Sequence, residues 1–505
     1  MEKYLEQYVG IGLSVLLGIG IFLFWWVGYP HALSYQEQYQ LFLWTWDYFL
    51  ERVSVPGGLA DWLGEFLVQF YYVEWLGALL LALLFVVMQR LTTCLLVQCN
   101  STRFSLPSYL LHLTSCFLPL LMLWLMGDIN VLHSLPVAIV LALALACVRW
   151  RKSLSWADVL VIPIAFWLIG PAVWVYVIVR VLQWGWRHLW SVPWLVGVQL
   201  MVYAWLMPQW PLQQVLATST YYRIPLQYPQ WKGYDKETYE LIRLDYLTRH
   251  EQWDEVIRRA EQYTVPTAFW SNCVNLALSQ KRQLAERQFD FYQSGDDALI
   301  MPRMRDQTSN MPSAEAFFRL GLVNSAQRYM FDIQESILNA KKSGRCTKRI
   351  VECMLINGHY QTAGKYIGLL KRSLFYRSWA DEAERCLGKD ALVDQHPVWG
   401  RLRQFRFKDD FLYSPGEKDK IFAMLFMNNH DNKMALDYFI AEMLLRGNVQ
   451  GVVQYLPLAE QYGGYSRMPA GYQDAVRAIQ SRGQAPGTKY GEYVRRMMMQ
   501  KGGRP

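Results

Sequence analysis

The sequence VGIGLSVLLGIGIFLFWWV occupies positions Val9–Val27 and contains no charged side chain. Because the hydrocarbon of a bilayer offers no partner for backbone polar groups, such a run must be helical, and about 20 apolar residues cross it. Its charged flank is short and no small-residue cleavage site closes it, which predicts a membrane anchor rather than a signal peptide. The chain is therefore expected to be all-α and anchored in a membrane.

Further apolar runs follow, with the ranges Phe70–Met88, Leu106–Met126, Val131–Val148 and Val192–Met207. The middle two are expected to form a hairpin around the turn Gly127-Asp128-Ile129-Asn130. The stretch Ala157–Gln183 has two interpretations. Two short legs hinged at Gly170-Pro171 give seven spans and a tail on the outer side, whereas one span over Val159–Val179 gives six and a cytoplasmic tail.

Lys and Arg concentrate in cytoplasmic loops, so their distribution discriminates between the two interpretations. Seven spans leave eight of these side chains inside and one outside, whereas six spans give six against three. Legs of about 14 residues reach only about 21 Å, so they need a thinner bilayer or protein cover. The charge pattern favours about seven spans, with the C-terminal part on the outer side of the membrane.

Charge also divides the chain into two halves. Residues 1–210 contain nine of the 50 Lys and Arg residues of the chain and ten of its 42 Asp and Glu residues. The basic side chains of the second half are scattered among acids, which fits anionic headgroups or glycans better than nucleic acid. The predicted domains are a transmembrane domain at 1–208 with a first outer loop at 29–69, a linker at 209–233, a helical repeat domain at 234–490 and a flexible basic tail at 491–505.

The first outer loop is predicted to contain two amphipathic helices. Ser34-Tyr35-Gln36-Glu37 has capping-box spacing and is expected to open the first helix. An aromatic stripe suited to the headgroup region follows at helical spacing, with the members Tyr35, Tyr39, Phe42, Trp46 and Phe49. Pro56-Gly57-Gly58 ends this helix. The second helix places Asp61, Glu65 and Gln69 on one face, which is expected to be solvated.

This layout resembles the GT-C glycosyltransferases, membrane enzymes that take sugars from polyprenyl-phosphate carriers. Their first loop often carries an Asp-Glu-x-x-Tyr-like motif, and this chain has Gln36-Glu37-Gln38-Tyr39 soon after its first span. The resemblance covers at most residues 1–210 and implies that Glu37 is a general base or orients the acceptor, and that Asp128 helps to hold a divalent metal. Gln36 replaces the first acid of the motif and the second loop is short, which argues against metal dependence. The whole chain also looks like an uncharacterised bacterial membrane family with this two-part plan, and the resemblance implies the inner membrane with a periplasmic C-terminal part.

Sugar transfer from a phosphate-linked carrier needs a carboxylate base and a cation that stabilises the departing phosphate. Glu37 is placed for the first role and Arg223 for the second. The further substrate-binding candidates are Gln36, Tyr39 and Glu74. Structural alternatives remain open, because Glu37 fits the capping partner of Ser34, Asp128 fits a tight turn and Arg223 fits a headgroup contact.

Helical hairpins are predicted for the second half of the chain. Three turns resemble tetratricopeptide turns in their small and aromatic residues, and they lie at Trp253-Asp254-Glu255-Val256, Gly358-His359-Tyr360 and Gly447-Asn448-Val449. Their separations are irregular, which indicates a degenerate tetratricopeptide-like solenoid. Such repeats bind partner proteins, peptides or glycans and seldom catalyse.

The sequence contains no Cys-x-x-Cys pair, Walker loop, dinucleotide fingerprint or His-Glu-x-x-His motif. Nucleotide chemistry is therefore disfavoured, and a divalent metal is the one cofactor considered. Two functional hypotheses follow: a GT-C-like enzyme that moves a sugar or glycan from a polyprenyl-phosphate carrier to an acceptor, and a non-enzymatic membrane-anchored scaffold of a cell-envelope complex. The first expects Glu37 to face an outward cavity, and the second expects Glu37 to cap its own helix.

Overall fold

The computed structural model describes residues 2–103, 107–149, 155–206, 233–304, 306–337, 341–407, 414–481 and 486–502. The described residues form helices and contain no β-strand, so the all-α prediction is confirmed. The chain divides into two compact units. Unit 1 comprises residues 1–236 with the short segments 338–343 and 372–377, and unit 2 comprises residues 237–337, 344–371 and 378–505.

The first part of unit 1 is a series of α-helices. Their bounds are α1 Glu2–Leu23, α2 Pro30–Gln38, α3 Trp46–Val53, α4 Gly58–Val68, α5 Glu74–Arg103, α6 Ser108–Ser115, α7 Phe117–Met126, α8 Ser134–Arg149, α9 Asp158–Ile169, α10 Val173–Trp184 and α11 Ser191–Leu206.

Within the described residues, four stretches are long and apolar enough to cross a membrane, and they are Tyr8–Gly28, Glu74–Asn100, Tyr109–Met126 and Asp158–His188. Shorter apolar helices occur at Ser134–Arg149 and Ser191–Val202. Large apolar side chains are exposed on these helices, among them Leu16, Leu83 and Trp124. Exposed apolar surface of this kind fits contact with lipid, so the chain has the character of a multi-pass membrane protein.

The stretch Asp158–His188 is not one straight helix. α9 ends at Ile169, and Gly170 has a φ of 65°, which favours glycine because it has no Cβ. α10 then returns beside α9, because the Arg180 Nη2 lies 2.9 Å from the Asp158 Oδ2. In a straight helix these two residues would be about 33 Å apart. The predicted hinge is therefore present, and the interpretation of Val159–Val179 as one straight span is wrong.

The first loop differs from its prediction. α2 begins at Pro30, because proline suits the first helical position, where its missing N–H removes no helical hydrogen bond. Ser34 and Glu37 therefore lie inside α2, and the predicted capping box does not form. Residues 40–45 are not helical, so the predicted aromatic stripe is divided among α2, this segment and α3.

A tight turn at Pro56-Gly57-Gly58 folds α4 back on α3. Gly57 has a φ of 78°, and its N–H donates to the Trp167 carbonyl at 2.8 Å. A Cβ added to Gly58 would lie 1.8 Å from the Arg52 carbonyl oxygen, so no larger residue fits without movement of the backbone. The two glycines thus bring the faces of α3 and α4 together.

The C-terminal half consists of a further series of helices. Their bounds are α12 Lys236–Arg249, α13 Trp253–Gln262, α14 Ala268–Gln280, α15 Leu284–Arg287, α16 Met311–Leu320, α17 Val323–Ser336, α18 Gly344–Asn357, α19 Tyr360–Leu370, α20 Arg377–Glu384, α21 Asp390–Gln395, α22 Trp399–Phe405, α23 Lys418–Asn428, α24 Lys433–Leu445, α25 Val449–Tyr462, α26 Ala470–Gln480 and α27 Lys489–Gly502.

Two of the predicted turns separate consecutive helices, α18 from α19 and α24 from α25, whereas Trp253–Val256 forms the first turn of α13. In an open solenoid, however, each repeat contacts only its neighbours. Unit 2 also joins distant parts of the chain, because Arg282 pairs with Asp437 and the Lys489 Nζ lies 2.6 Å from the Asp290 Oδ1. Its helices therefore pack as a more closed body than the sequence predicts.

The basic end of the chain was predicted to be flexible from residue 491. Instead, α27 continues to Gly502, and Tyr493 is buried and donates to the Leu445 carbonyl at 2.7 Å. The prediction rested on the basic residues of this segment and overlooked its tyrosines, which form a buried face of α27.

Candidate functional site: a buried carboxylate in the first loop

Two short segments from the C-terminal half join the first loop within unit 1. The Leu41 N–H donates to the Lys342 carbonyl at 2.7 Å, and the Trp44 N–H donates to the Arg372 carbonyl at 2.8 Å. Because residues 40–45 are not helical, their N–H groups are available for these bonds. The first loop therefore holds both segments through its backbone.

The Glu65 carboxylate on α4 is fully buried. The Arg52 Nε lies 3.1 Å from its Oε2, and the Lys341 Nζ lies 3.0 Å from its Oε1. The Tyr48 hydroxyl donates to the same Oε2. Lys341 also donates to the Gln40 Oε1 at 3.1 Å. We call Tyr48, Arg52, Glu65 and Lys341 the Glu65 cluster.

Helical periodicity assembles most of the cluster. Tyr48 and Arg52 are four residues apart on α3 and so share a face, as do Asp61 and Glu65 on α4. The glycine turn between the two helices brings these faces into contact. Lys341 completes the cluster from the segment 341–343, which is remote in sequence from the first loop.

Electrostatics keep Glu65 ionised. Burial alone would raise the pKa of Glu65, but the Lys341 ammonium and the Arg52 guanidinium outweigh burial and hold that pKa below its ordinary value. Burial, assisted by the charge of Glu65, raises the pKa of Tyr48 well above its ordinary value, so the hydroxyl stays protonated and donates. A carboxylate stabilised by two cations is a weak proton acceptor, and the cluster therefore suits attachment better than general-base chemistry.

Glu37 lies on α2 and is only 4% exposed. The Tyr376 hydroxyl donates to its Oε1 at 2.8 Å, across 339 positions of sequence. Glu37 is therefore neither exposed to an outward cavity nor the cap of its own helix, and both expectations for its carboxylate are wrong.

The structure brings Gln36 and the second loop together, because the Gln36 Nε2 donates to the Ile129 carbonyl at 2.7 Å. The Asp128 Oδ1 accepts from the Asn130 N–H at 2.9 Å and from the Asn130 side-chain amide at 3.0 Å. This is the geometry of an Asx turn, as the structural alternative for Asp128 predicted. Tyr39 is buried beside Tyr35 at the end of α2.

The remaining candidates do not extend this site. Glu74 begins α5, where the helix dipole favours a carboxylate. Arg223 lies outside the described residues. Among the residues with described positions, no group of three or more His, Cys, Asp and Glu side chains is arranged to hold a metal ion.

Comparison with known families gives one match. A family model, described as a family of unknown function (DUF6057), matches residues 6–502. The chain belongs to the DUF6057 family. No curated protein and no solved structure matched it. The match includes both the apolar half and the helical second half, as expected for an uncharacterised family with a two-part plan.

Sequence reasoning missed the main cluster of this DUF6057 protein. It assigned Asp61 and Glu65 to a solvated face, yet Asp61 is 8% exposed and Glu65 is fully buried. The matching four-residue spacing of Tyr48 and Arg52 in the preceding helix was a signal for a buried ion pair. Lys341 gave no local signal, because its partner lies in another part of the chain.

A second buried carboxylate in the DUF6057 chain closes the base of the α9–α10 hairpin. The Asp158 Oδ1 accepts from the Arg149 Nη2 at 2.9 Å and from the Tyr176 hydroxyl at 2.6 Å, and its Oδ2 accepts from the Arg180 Nε at 2.9 Å. The His188 Nε2 lies 3.1 Å from Oδ2. These contacts hold together the start of α9, the end of α10 and the end of α8.

Proposed function

We propose that this DUF6057 protein is a non-enzymatic scaffold of the cell envelope, in which a membrane domain holds a helical domain that binds a partner protein. The proposal rests on the contacts that the buried acids of the first loop make. Glu65 pairs with Lys341 of the segment 341–343, and Glu37 accepts from Tyr376 of the segment 372–377. Both carboxylates therefore serve attachment.

A lipid-carrier transferase would need its base in contact with the acceptor hydroxyl. Neither first-loop carboxylate offers such access, because Glu37 is 4% exposed and Glu65 is 0% exposed. Asp128, the candidate metal ligand, is engaged in its own turn. These observations favour the scaffold over the transferase.

The attached segments have a particular place in the chain. The segment 341–343 directly precedes α18, and the segment 372–377 directly follows α19. Aromatic contacts add to the hydrogen bonds, because Phe375 stacks on Tyr72 at 5.2 Å between ring centroids and meets Phe70 edge-on at 5.9 Å. The first loop thus holds the chain immediately before α18 and shortly after α19.

The proposed topology has seven crossings, with the first loop and the C-terminal domain at the periplasmic face. The first loop bonds residues 341–343 and 372–377, which supports a topology in which the chain between them crosses the membrane an even number of times. α5, the stretch α6–α7, α8 and α11 supply four crossings, and the returning legs α9 and α10 supply two. A single span over Asp158–His188 would make the number odd. The Lys and Arg bias assigns the opposite face to the cytoplasm.

The proposed partner surface lies on the degenerate tetratricopeptide-like helices. On α23, Met424 and Met427 are 50% and 62% exposed and are three residues apart, so they share one face. Methionine side chains are flexible and polarisable, which suits an adaptable protein-binding surface.

Complementation of a deletion strain with Glu37→Gln and Tyr376→Phe tests the proposal. Both substitutions alter the same hydrogen bond, but only Glu37→Gln removes the carboxylate. At equal amounts of folded protein, a scaffold predicts that the two variants complement equally and leave envelope glycans unchanged. Loss of a glycan by Glu37→Gln alone, with Tyr376→Phe normal, would overturn the scaffold.

A GT-C-like transferase is the second candidate function, and one observation favours it. A buried carboxylate with a shifted pKa between two cations, close to the predicted headgroup region, is an arrangement that active sites often use. The substrate would then be a polyprenyl-phosphate-linked sugar or glycan. Turnover of such a donor by the purified full chain, abolished in Glu65→Gln at equal amounts of folded protein and retained in Tyr376→Phe, would establish this alternative.

A further inference from the structure

A lateral groove of about 460 Å³ lies between the membrane helices α1 and α5. Its apolar walls include Val15, Ile19, Leu79 and Leu83. All four side chains are exposed, so the groove opens sideways toward the hydrocarbon. Gly18 gives the groove its depth, because a Cβ at this position would already lie 3.0 Å from the Val86 Cγ2.

A single cation marks one end of this groove. Arg90 of α5 contributes to its lining, and the neighbouring Gln89 accepts from Ser14 of α1 at 2.7 Å. This bond places Arg90 at the level of Ser14, toward the N-terminal side of the membrane. Arg90 lies about 24 Å along α5 from Glu74, within reach of the headgroups of that leaflet.

Within the described part of the chain, Arg90 has no counter-charge. Its side chain is exposed, and it makes no ion pair or hydrogen bond with any residue that the structure describes. No acidic residue lines the groove. An unpaired guanidinium beside hydrocarbon is unfavourable, so an anion is the expected partner. At the level of the headgroups, the phosphate of a membrane lipid is the anion closest to Arg90.

The charge at its end favours a lipid over a neutral protein helix as the occupant of the groove. The α1 wall runs from Ile11 to Phe22, a rise of about 16 Å, along which an extended acyl chain can lie. A neutral helix packed on the same surface would leave Arg90 unpaired.

From this geometry we infer that the protein binds one anionic glycerophospholipid from the leaflet on the N-terminal side. The lipid phosphate contacts the Arg90 guanidinium, and one acyl chain lies between α1 and α5 in the groove. This lipid site is independent of the proposed scaffold function, because it involves neither the first loop nor the C-terminal segments.

Native mass spectrometry of the full chain in mild detergent tests the site, with palmitoyl-oleoyl phosphatidylglycerol and the zwitterionic phosphatidylcholine of the same chains as probes. The wild type should retain one phosphatidylglycerol in preference to phosphatidylcholine. Arg90→Gln should lower the affinity for phosphatidylglycerol about fivefold, since one basic side chain near a lipid surface contributes about that factor. Arg187→Gln removes another exposed arginine outside the groove and should change nothing.

The acyl-chain contact has its own matched pair of variants. Gly18→Leu fills the groove and should weaken retention of both lipids, whereas Gly20→Leu, with nothing within 4 Å of its added Cβ, should not. Size-exclusion chromatography checks that each variant is folded. Equal retention of the two lipids, an equal loss in Arg187→Gln, or a dimer that Gly18→Leu disrupts would overturn the inference.

Discussion

Glu442 of α24 shows the effect of burial on a single carboxyl group. It has no exposed surface, and its Oε2 has no hydrogen-bond partner within the described part of the chain. Arg446 lies 3.0 Å from the other oxygen. Burial nevertheless outweighs the nearby Lys418 and Arg446 and raises the pKa of Glu442 to about 7. The group is therefore partly protonated at neutral pH.

The raised pKa of Glu442 predicts a loss of stability with rising pH. The folded state binds the proton more tightly than the unfolded state, whose pKa is about 4.3, so the stabilisation is complete below that value and is lost as the pH passes through about 7. Asp437, whose pKa burial raises to about 6, acts in the same direction. Glu65, with a lowered pKa, acts only under more acidic conditions.

Between pH 5 and pH 8, the titration of Glu442 should lower the free energy of unfolding of the wild type by up to about 3 kcal/mol. We expect this decrease to be absent in Glu442→Gln. Urea unfolding of the detergent-solubilised full chain, followed by tryptophan fluorescence, measures this difference. Glu460→Gln, at an exposed position of α25, is the control and should retain the wild-type profile. A wild-type pH profile in Glu442→Gln would contradict the assignment.

At the scale of elements, the local sequence predicted some helix boundaries correctly and others wrongly. Gly170-Pro171 correctly predicted the hinge between α9 and α10, because a left-handed glycine is a local requirement. Ser34 and Glu37 matched a capping box, but Pro30 starts α2 one turn earlier, and the match was accidental. The hydrophobic pattern alone could not choose between a hairpin and a straight span, because both expose apolar faces.

The hairpin α9–α10 predicts that its two ends lie on the same face of the membrane. Trp156 and Trp186 flank it and are 67% and 86% exposed. In a background without native cysteines, we expect Trp156→Cys and Trp186→Cys to react with a membrane-impermeant maleimide from the cytoplasmic side. Trp46→Cys in α3 should react from the opposite side. Labelling of the two flanking positions from opposite faces would contradict the hairpin.

At the scale of the whole molecule, the least predictable features are the contacts between distant parts of the chain. The division near residue 236 follows from the change in composition at the predicted linker. Nothing near Lys341 or Tyr376 indicates that each meets a first-loop acid, since such pairing depends on the folded arrangement. Charge, periodicity and turn residues are local signals. They identified Glu37 as a candidate site residue, but they predicted neither its partner Tyr376 nor the burial of Glu65 against Lys341.

The proposed even number of crossings predicts the side of the C-terminus. A reporter enzyme that is active only in the periplasm, fused after Pro505, should be active, because the first loop and the segments it holds lie on one face. A fusion after Asn100 should be inactive, since the proposed topology has the span Glu74–Asn100 crossing to the other face. Reporter activity confined to the cytoplasm after Pro505 would contradict the proposed topology.

The central claim is that Glu65 attaches the segment 341–343 to the first loop, and a double-mutant cycle between Glu65 and Lys341 tests it most directly. Glu65→Gln leaves two buried cations without their carboxylate and should cost about 3–5 kcal/mol of unfolding free energy. With Lys341→Gln, the cycle should give a coupling of about 1–3 kcal/mol. The control cycle of Glu51→Gln with Lys341→Gln should be additive within about 0.5 kcal/mol, because Glu51 is exposed. An additive Glu65–Lys341 cycle would contradict the claim.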